Sequence, residues 1–193
     1  MGRIKLFDRQ EVLEKAMILF WKMGYHATSI QMLVEGLKIS RASLYDTFGG
    51  KEELFYTAFL RYREIKYWEM VDCFKNAPSV KLGFTTLFEG TIESLTTDSQ
   101  KKGCLVVNAI TELIPGSERT QHMLIETRKA IEDAFCNYLK TGVEKHETLG
   151  NKDLKVIATL LYSLYSGLTV MAKTNKDKAH LMSIVKEGLT VLD

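Results

Sequence analysis

The sequence predicts an all-α protein, with a three-helix unit containing a helix-turn-helix over residues 1–50 and a C-terminal helical bundle over residues 51–193. Three observations carry that prediction. Proline is nearly absent, Pro78 and Pro115 being the only two. Apolar residues recur at three- and four-residue spacing almost throughout, the period of one helix face. Alternating period-two stretches, the mark of half-buried strands, are scarce.

Each element has its own signals. Asp8, with Glu11 three residues on, forms a capping-box pattern for a first helix whose stripe is Leu13, Ala16, Met17 and Phe20. Gly24 supplies its left-handed stop. Thr28 or Ser29 caps a short second helix carrying Ile30, Leu33, Val34 and Leu37, and His26 belongs to the turn before it. Ser40 caps a third with Leu44, Tyr45 and Phe48, ended by Gly49-Gly50. Lys51-Glu52-Glu53 opens a long fourth helix reaching Asn76. Pro78 sits where a new helix can begin, because its missing N–H costs nothing there. Helices are then expected over Ser79–Leu95, Lys101–Leu113, Glu118–Glu144, Lys152–Lys173 and Asp177–Leu192, with Pro115-Gly116 and Lys145–Gly150 as breaks.

Composition narrows the function classes. With 46% hydrophobic and 26% charged residues the chain can build an ordinary core, which excludes global disorder. No uninterrupted apolar run approaches the ~20 residues of a membrane span. Met1-Gly2-Arg3-Ile4-Lys5 has no apolar segment behind it, and Leu6 stands where a myristoylation motif needs Ser or Thr. A cytoplasmic protein with no membrane partner is expected. Cys73, Cys104 and Cys136 are odd in number and widely spaced, against a disulfide framework or zinc site. His26, His122, His146 and His180 are scattered, so no metal or other cofactor is expected. No P-loop, nucleophile elbow or dinucleotide fingerprint occurs, which argues against an enzyme.

Function points to the pair of short helices, Ser29–Gly36 and Arg41–Phe48, joined by Leu37-Lys38-Ile39-Ser40. A helix that enters the DNA major groove needs a few apolar anchors on one side and polar residues on the other. Leu44 and Phe48 face inward with Ile39 and Val34, leaving Arg41, Ala42, Ser43, Tyr45, Asp46 and Thr47 for the groove and its walls. Net charge is a weak guide: the whole chain carries +2, and Met1–Phe55 holds eight basic and seven acidic residues. Glu11, Glu14 and Glu35 must therefore point away from the reading face.

The run Ile39-Ser40-Arg41-Ala42-Ser43-Leu44-Tyr45-Asp46-Thr47-Phe48-Gly49-Gly50-Lys51-Glu52-Glu53-Leu54-Phe55 closely resembles the TetR-family signature, a Ser-capped recognition helix ending in Tyr-x-x-Phe followed by Lys-Glu-x-Leu. Ala16–Phe20 and Gly24–Ile30 resemble that family's first helix and turn. The resemblance implies phosphate contacts from Thr28, Tyr45 and Lys51, and base reading by Arg41, Ser43 and Thr47, with Arg41 suited to guanine. Asp46 would fix Arg41 or read a cytosine amine, Ala42 would touch a thymine methyl, and Arg3 and Lys5 in the N-terminal arm would reach an adjacent groove. Lys38 stands where the family commonly has Gly, so a strained left-handed turn is expected at on the order of 1 kcal/mol.

The same resemblance implies a ligand cavity among the later helices, binding an unidentified small-molecule inducer. Phe59, Trp68, Phe84, Phe88, Phe135 and Tyr138 are candidate walls, with Cys104, Asn108, Tyr162 and Tyr165 as polar or reactive groups. Gly103-Cys104-Leu105-Val106 resembles an element of regulators that sense electrophiles, and Lys101 and Lys102 beside a helix start would activate the thiol; small-residue core packing is the alternative. In the last two helices, Leu161, Leu164, Leu168, Leu181, Val185 and Leu189 are the expected homodimer interface. The overall expectation is a ligand-responsive repressor that binds double-stranded palindromic operator DNA as a homodimer. A helical interaction protein, or a small helical enzyme with a vestigial helix-turn-helix, is the alternative.

Overall fold

The computed structural model describes residues 7–114, 116–147 and 152–193. Arg3 and Lys5 of the expected arm, Pro115 and Gly150 lie outside the described residues. Within them the fold is all-helical: α1 (Arg9–Met23), α2 (Ile30–Leu37), α3 (Arg41–Phe48), α4 (Lys51–Lys75), α5 (Val80–Thr97), α6 (Leu105–Leu113), α7 (Glu118–Glu144), α8 (Leu154–Met171) and α9 (Lys178–Gly188), the last running into a 3-10 turn at Leu189–Leu192.

The caps explain the boundaries. The Asp8 carboxylate accepts from the backbone N–H of Gln10 at 2.7 Å, whereas Glu11 turns outward to Lys15 at 2.6 Å, so only half of the expected capping box forms. Ser29 caps α2 by accepting from Met32 N–H at 3.1 Å, and Ser40 caps α3 by accepting from Ser43 N–H at 3.0 Å. Lys38 adopts the expected left-handed conformation, φ 56° and ψ 41°, between them.

One boundary differs from the sequence reading. Helix α6 starts at Leu105, not Lys101. Asp98 captures the backbone N–H of Gln100 at 3.0 Å and of Lys102 at 2.7 Å, and Lys101 and Gly103 take positive φ. Those bonds commit residues 98–104 to a loop and leave Cys104 as the N-terminal cap position of α6.

Two cores result. Phe20, Leu33, Leu44, Leu54 and Phe59 anchor the first, which joins α1–α3 to the start of α4, to α6 and to the start of α7. Phe84, Phe88, Phe135, Leu161 and Leu181 anchor the second, among α5, α7, α8 and α9. Helix α4 serves both, through Leu54 to Tyr62 in one and Met70 and Phe74 in the other.

The second core corrects the expected dimer residues. Leu161, Leu168, Leu181, Val185 and Leu189 are buried inside the protomer, and Leu164 is half-buried against Gly188. The outward face of α8 instead carries Val156, Leu160, Ser163, Gly167, Val170 and Met171. That helix is long and apolar enough to cross a membrane by length and composition, but it packs along α7 with Ile157, Ala158 and Leu161 buried. Such packing is that of a bundle helix with one apolar face left open.

Candidate nucleic-acid interface and ligand cavity

Helix α3 presents two faces. Leu44 and Phe48 are buried, while Arg41, Ala42, Tyr45 and Asp46 are exposed and Ser43 and Thr47 half-buried. The Arg41 guanidinium lies 6.0 Å from the Tyr45 ring centre, a loose cation–π arrangement that keeps both groups on the outer side. Asp46 makes no ion pair with Arg41, so the expected fixing role is not realised. Ser43 shares its hydroxyl with that of Ser40 at 2.9 Å. Glu11 and Glu14 sit on α1 facing Lys15 and Arg61, and Glu35 accepts from Gln31.

Two expected phosphate groups differ in placement. Thr28 is wholly buried, and its hydroxyl donates to the Gly24 carbonyl at 2.5 Å. Its side chain therefore holds the turn before α2 instead of facing solvent. Lys51 stands at the first turn of α4 with its ammonium 4.3 Å from the Tyr25 ring centre. Partial burial lowers its pKa, opposed by the Glu112 carboxylate.

The bundle contains a cavity of about 830 Å³ bounded by α4, α5, α7, α8 and the loop leading into α6. Of the expected wall residues, Cys104, Phe135, Tyr162 and Tyr165 border it. Six do not. Phe59, Phe84 and Phe88 are filled into the cores with no accessible surface. Trp68 is 60% exposed on the outside of α4. Tyr138 stacks on Phe74 at 3.9 Å and donates its hydroxyl to the Ser79 carbonyl at 3.1 Å. Asn108 is spent on structure, donating to the Lys102 carbonyl at 2.7 Å and accepting from Lys173 at 2.6 Å.

Residues that sequence reasoning missed complete the walls: Trp21, Tyr62, Arg63, Met70, Thr127 and Ile131 among them. Trp21 belongs to α1, so the first domain contributes directly to the chamber. Tyr162 is 6% exposed, and its hydroxyl makes no hydrogen bond among the described residues. Ser166 lies close enough to hold the Tyr162 pKa down somewhat, but its own hydroxyl donates to the carbonyl of Tyr162 at 2.9 Å. Burial pushes the Tyr162 pKa up to about 12. An unsatisfied buried hydroxyl costs about 1–3 kcal/mol, which a polar guest would recover.

Cys104 is buried and borders the chamber together with Tyr62 and Tyr165. Burial first, then the thiol, pushes both phenols well above their ordinary range. Of the two lysines expected beside the thiol, Lys102 has its ammonium held by Asp98 at 2.9 Å and over the Trp21 ring. Cys73 also borders the cavity, and Cys136 is buried in the second core.

Helix α6 ties this chamber to the helix-turn-helix at both ends. At its start, Trp21 donates its indole N–H to the Gly103 carbonyl at 2.9 Å. At its other end, the Glu112 carboxylate accepts from the backbone N–H of Tyr25 at 3.0 Å and of His26 at 2.6 Å. Arg119 at the start of α7 adds an ion pair to Glu53 at the start of α4.

A short two-faced helix on a three-helix unit, packed against a helical bundle that holds a cavity, is the architecture of a helix-turn-helix transcriptional regulator. Residues 12–57 match the model for bacterial regulatory proteins of the tetR family, and residues 84–187 match the tetracyclin repressor-like C-terminal domain. The chain belongs to the TetR family, whose members are regulators and not enzymes. It is 34% identical to YezE, an uncharacterized HTH-type transcriptional regulator of Bacillus subtilis (strain 168), over 100% of both chains. It is 30% identical to the HTH-type transcriptional repressor ComR of Escherichia coli (strain K12), covering 95% of this chain and 88% of that one. Among solved structures, a cysteine-substituted form of the TetR-family regulator CifR, bound to 26-bp double-stranded operator DNA, superposes with a TM-score of 0.90 at 31% identity over 100% of both chains.

Proposed function

We propose that the protein is a cytoplasmic repressor that binds double-stranded operator DNA as a homodimer and releases it when a small molecule fills the chamber. The observation that carries the reading is the α3 surface, where Arg41, Ala42, Tyr45 and Asp46 project together from a helix anchored by Leu44 and Phe48. Ser43 and Thr47 complete the base-reading set, and Tyr45 and Lys51 grip phosphate. The operator complex of CifR and the repressor role of ComR support the same assignment. Residues 1–50 read DNA, and residues 51–193 sense and dimerise. A salt series on duplex DNA tests it. Affinity should fall linearly on a log–log plot, and Lys51→Ala should reduce the slope by about one unit. Absence of duplex binding even at low salt would contradict the reading.

A specific observation favours a reactive inducer as one class of signal: Cys104 borders the chamber, on a lining shared with Tyr62 and Tyr165. An adduct there would press on the α6 start, where Gly103 holds Trp21 of α1. Partial alkylation at neutral pH followed by mass spectrometry should label Cys104 before Cys73 and Cys136, with parallel loss of DNA binding that Cys104→Ser prevents. Slower labelling of Cys104, or labelling with DNA retained, leaves the thiol as core packing.

A further inference from the structure

We infer that the chamber binds a small monocarboxylate with an apolar body, its carboxylate seated on Arg63; this rests on the ligand-responsive reading above. Four arginines lie on α4–α9, and three of them have a carboxylate partner: Arg61 with Glu64, Arg119 with Glu53, and Arg128 with Glu132. Arg63 alone of the four has none among the described residues. It is half-buried, borders the cavity, and uses a single N–H, donated to the Thr127 hydroxyl at 3.4 Å. Thr127 is fully buried and spends its own proton on the Met123 carbonyl at 2.8 Å, so it offers Arg63 only a lone pair.

The acidic residues near the mouth are already committed. Glu64 accepts from Arg61 at 2.9 Å and Glu69 from Lys66 at 2.7 Å. Among the described residues that border the chamber, Arg63 is therefore the cation left without a carboxylate partner, and a guanidinium fork matches a carboxylate in two parallel bonds. A single charge suits a monoanion. Met70, Leu87, Val106, Ile131 and Phe135 supply an apolar surround for the body of the ligand, and about 830 Å³ lies in the range of small-molecule sites. The unpartnered hydroxyl of Tyr162 on the α8 wall is a second, independent sign that a polar guest completes this space.

Trp21 borders the cavity and Trp68 does not, so Trp68→Phe leaves one indole reporting on occupancy. The full-length protein is titrated with decanoate and 4-phenylbutanoate and, in parallel, with their methyl esters, all below their aggregation concentrations. At least one acid should change Trp21 fluorescence and raise the melting temperature, binding at least about tenfold tighter than its ester. Arg63→Gln should remove that advantage while leaving ester binding and DNA affinity unchanged. Equal binding of acid and ester, an acid advantage that survives Arg63→Gln, or no binding of either acid overturns the inference. Operator release is scored separately. Esters that release DNA as well as acids keep the ligand-responsive reading and remove the carboxylate, whereas acids that bind through Arg63 without releasing DNA do the reverse.

Discussion

Arg41 and Lys51 lie close in sequence yet should fail in different ways. Arg41→Ala should lose discrimination at one base position by about 1–3 kcal/mol, measured by competition between single-base operator variants. Lys51→Ala should weaken all sequences alike. A change of base preference in Lys51→Ala with an intact salt slope would reverse the two roles. Lys38 offers a stability test, since its left-handed backbone costs about 1–2 kcal/mol and glycine would give back about 0.4–1 kcal/mol through the unfolded chain. Lys38→Gly should therefore be neutral to about 1 kcal/mol stabilising by denaturant titration. The outer residues of α3 were legible because helix periodicity assigns each one a face. Thr28 was not, because nothing in the sequence reveals that the Gly24 carbonyl claims its hydroxyl.

At the scale of elements, α6 is the connection between the chamber and the helix-turn-helix. Glu112→Gln keeps the size of the side chain but removes the charge that accepts two backbone N–H bonds from the turn before α2. Its expected outcome is a protein that folds and binds DNA, with ligand binding and DNA release uncoupled; unchanged ligand-dependent release would remove α6 from the pathway. Gly24, at φ 82° and ψ 169°, adopts a backbone region essentially reserved for glycine, and a Cβ there would meet a Glu112 oxygen at 2.8 Å. Gly24→Ala should cost about 1–3 kcal/mol by chemical denaturation. Asp98 fixes the loop that feeds α6. Burial acts against its ionisation, but hydrogen bonds from Lys102 and Gln100 prevail and hold its pKa below the usual carboxylate value. Its stabilisation is complete above the unfolded pKa of about 4 and is lost as pH falls through the lower folded value. The same carboxylate explains why periodicity set the start of α6 too early: a local side-chain capture overrode an otherwise helical pattern.

The molecule as a whole was legible in class and element order, less so in its inner surfaces. Wide apolar stripes on α5, α7 and α8 announce burial without telling core from cavity, so Phe84 and Phe88 look like walls while nothing marks Arg63 as one. For the same reason Leu161 and Leu168 looked like interface. The open face of α8 is one residue away, at Leu160, with Val170 and Gly167 further along it. Leu160 is 49% exposed in the protomer, so Leu160→Glu should leave the fold intact and yield monomers by sedimentation. A stable wild-type monomer at micromolar concentration would dispose of that interface.

Two copies of α3 that read one duplex require an operator with two-fold symmetry. Selection of bound sequences from random double-stranded DNA, followed by footprinting, addresses it directly. The expected result is an enriched palindrome with half-sites about one helical turn apart or a multiple of it, lost in Arg41→Ala at one symmetric base pair. No enrichment over input, or an enriched site without two-fold symmetry, would contradict it.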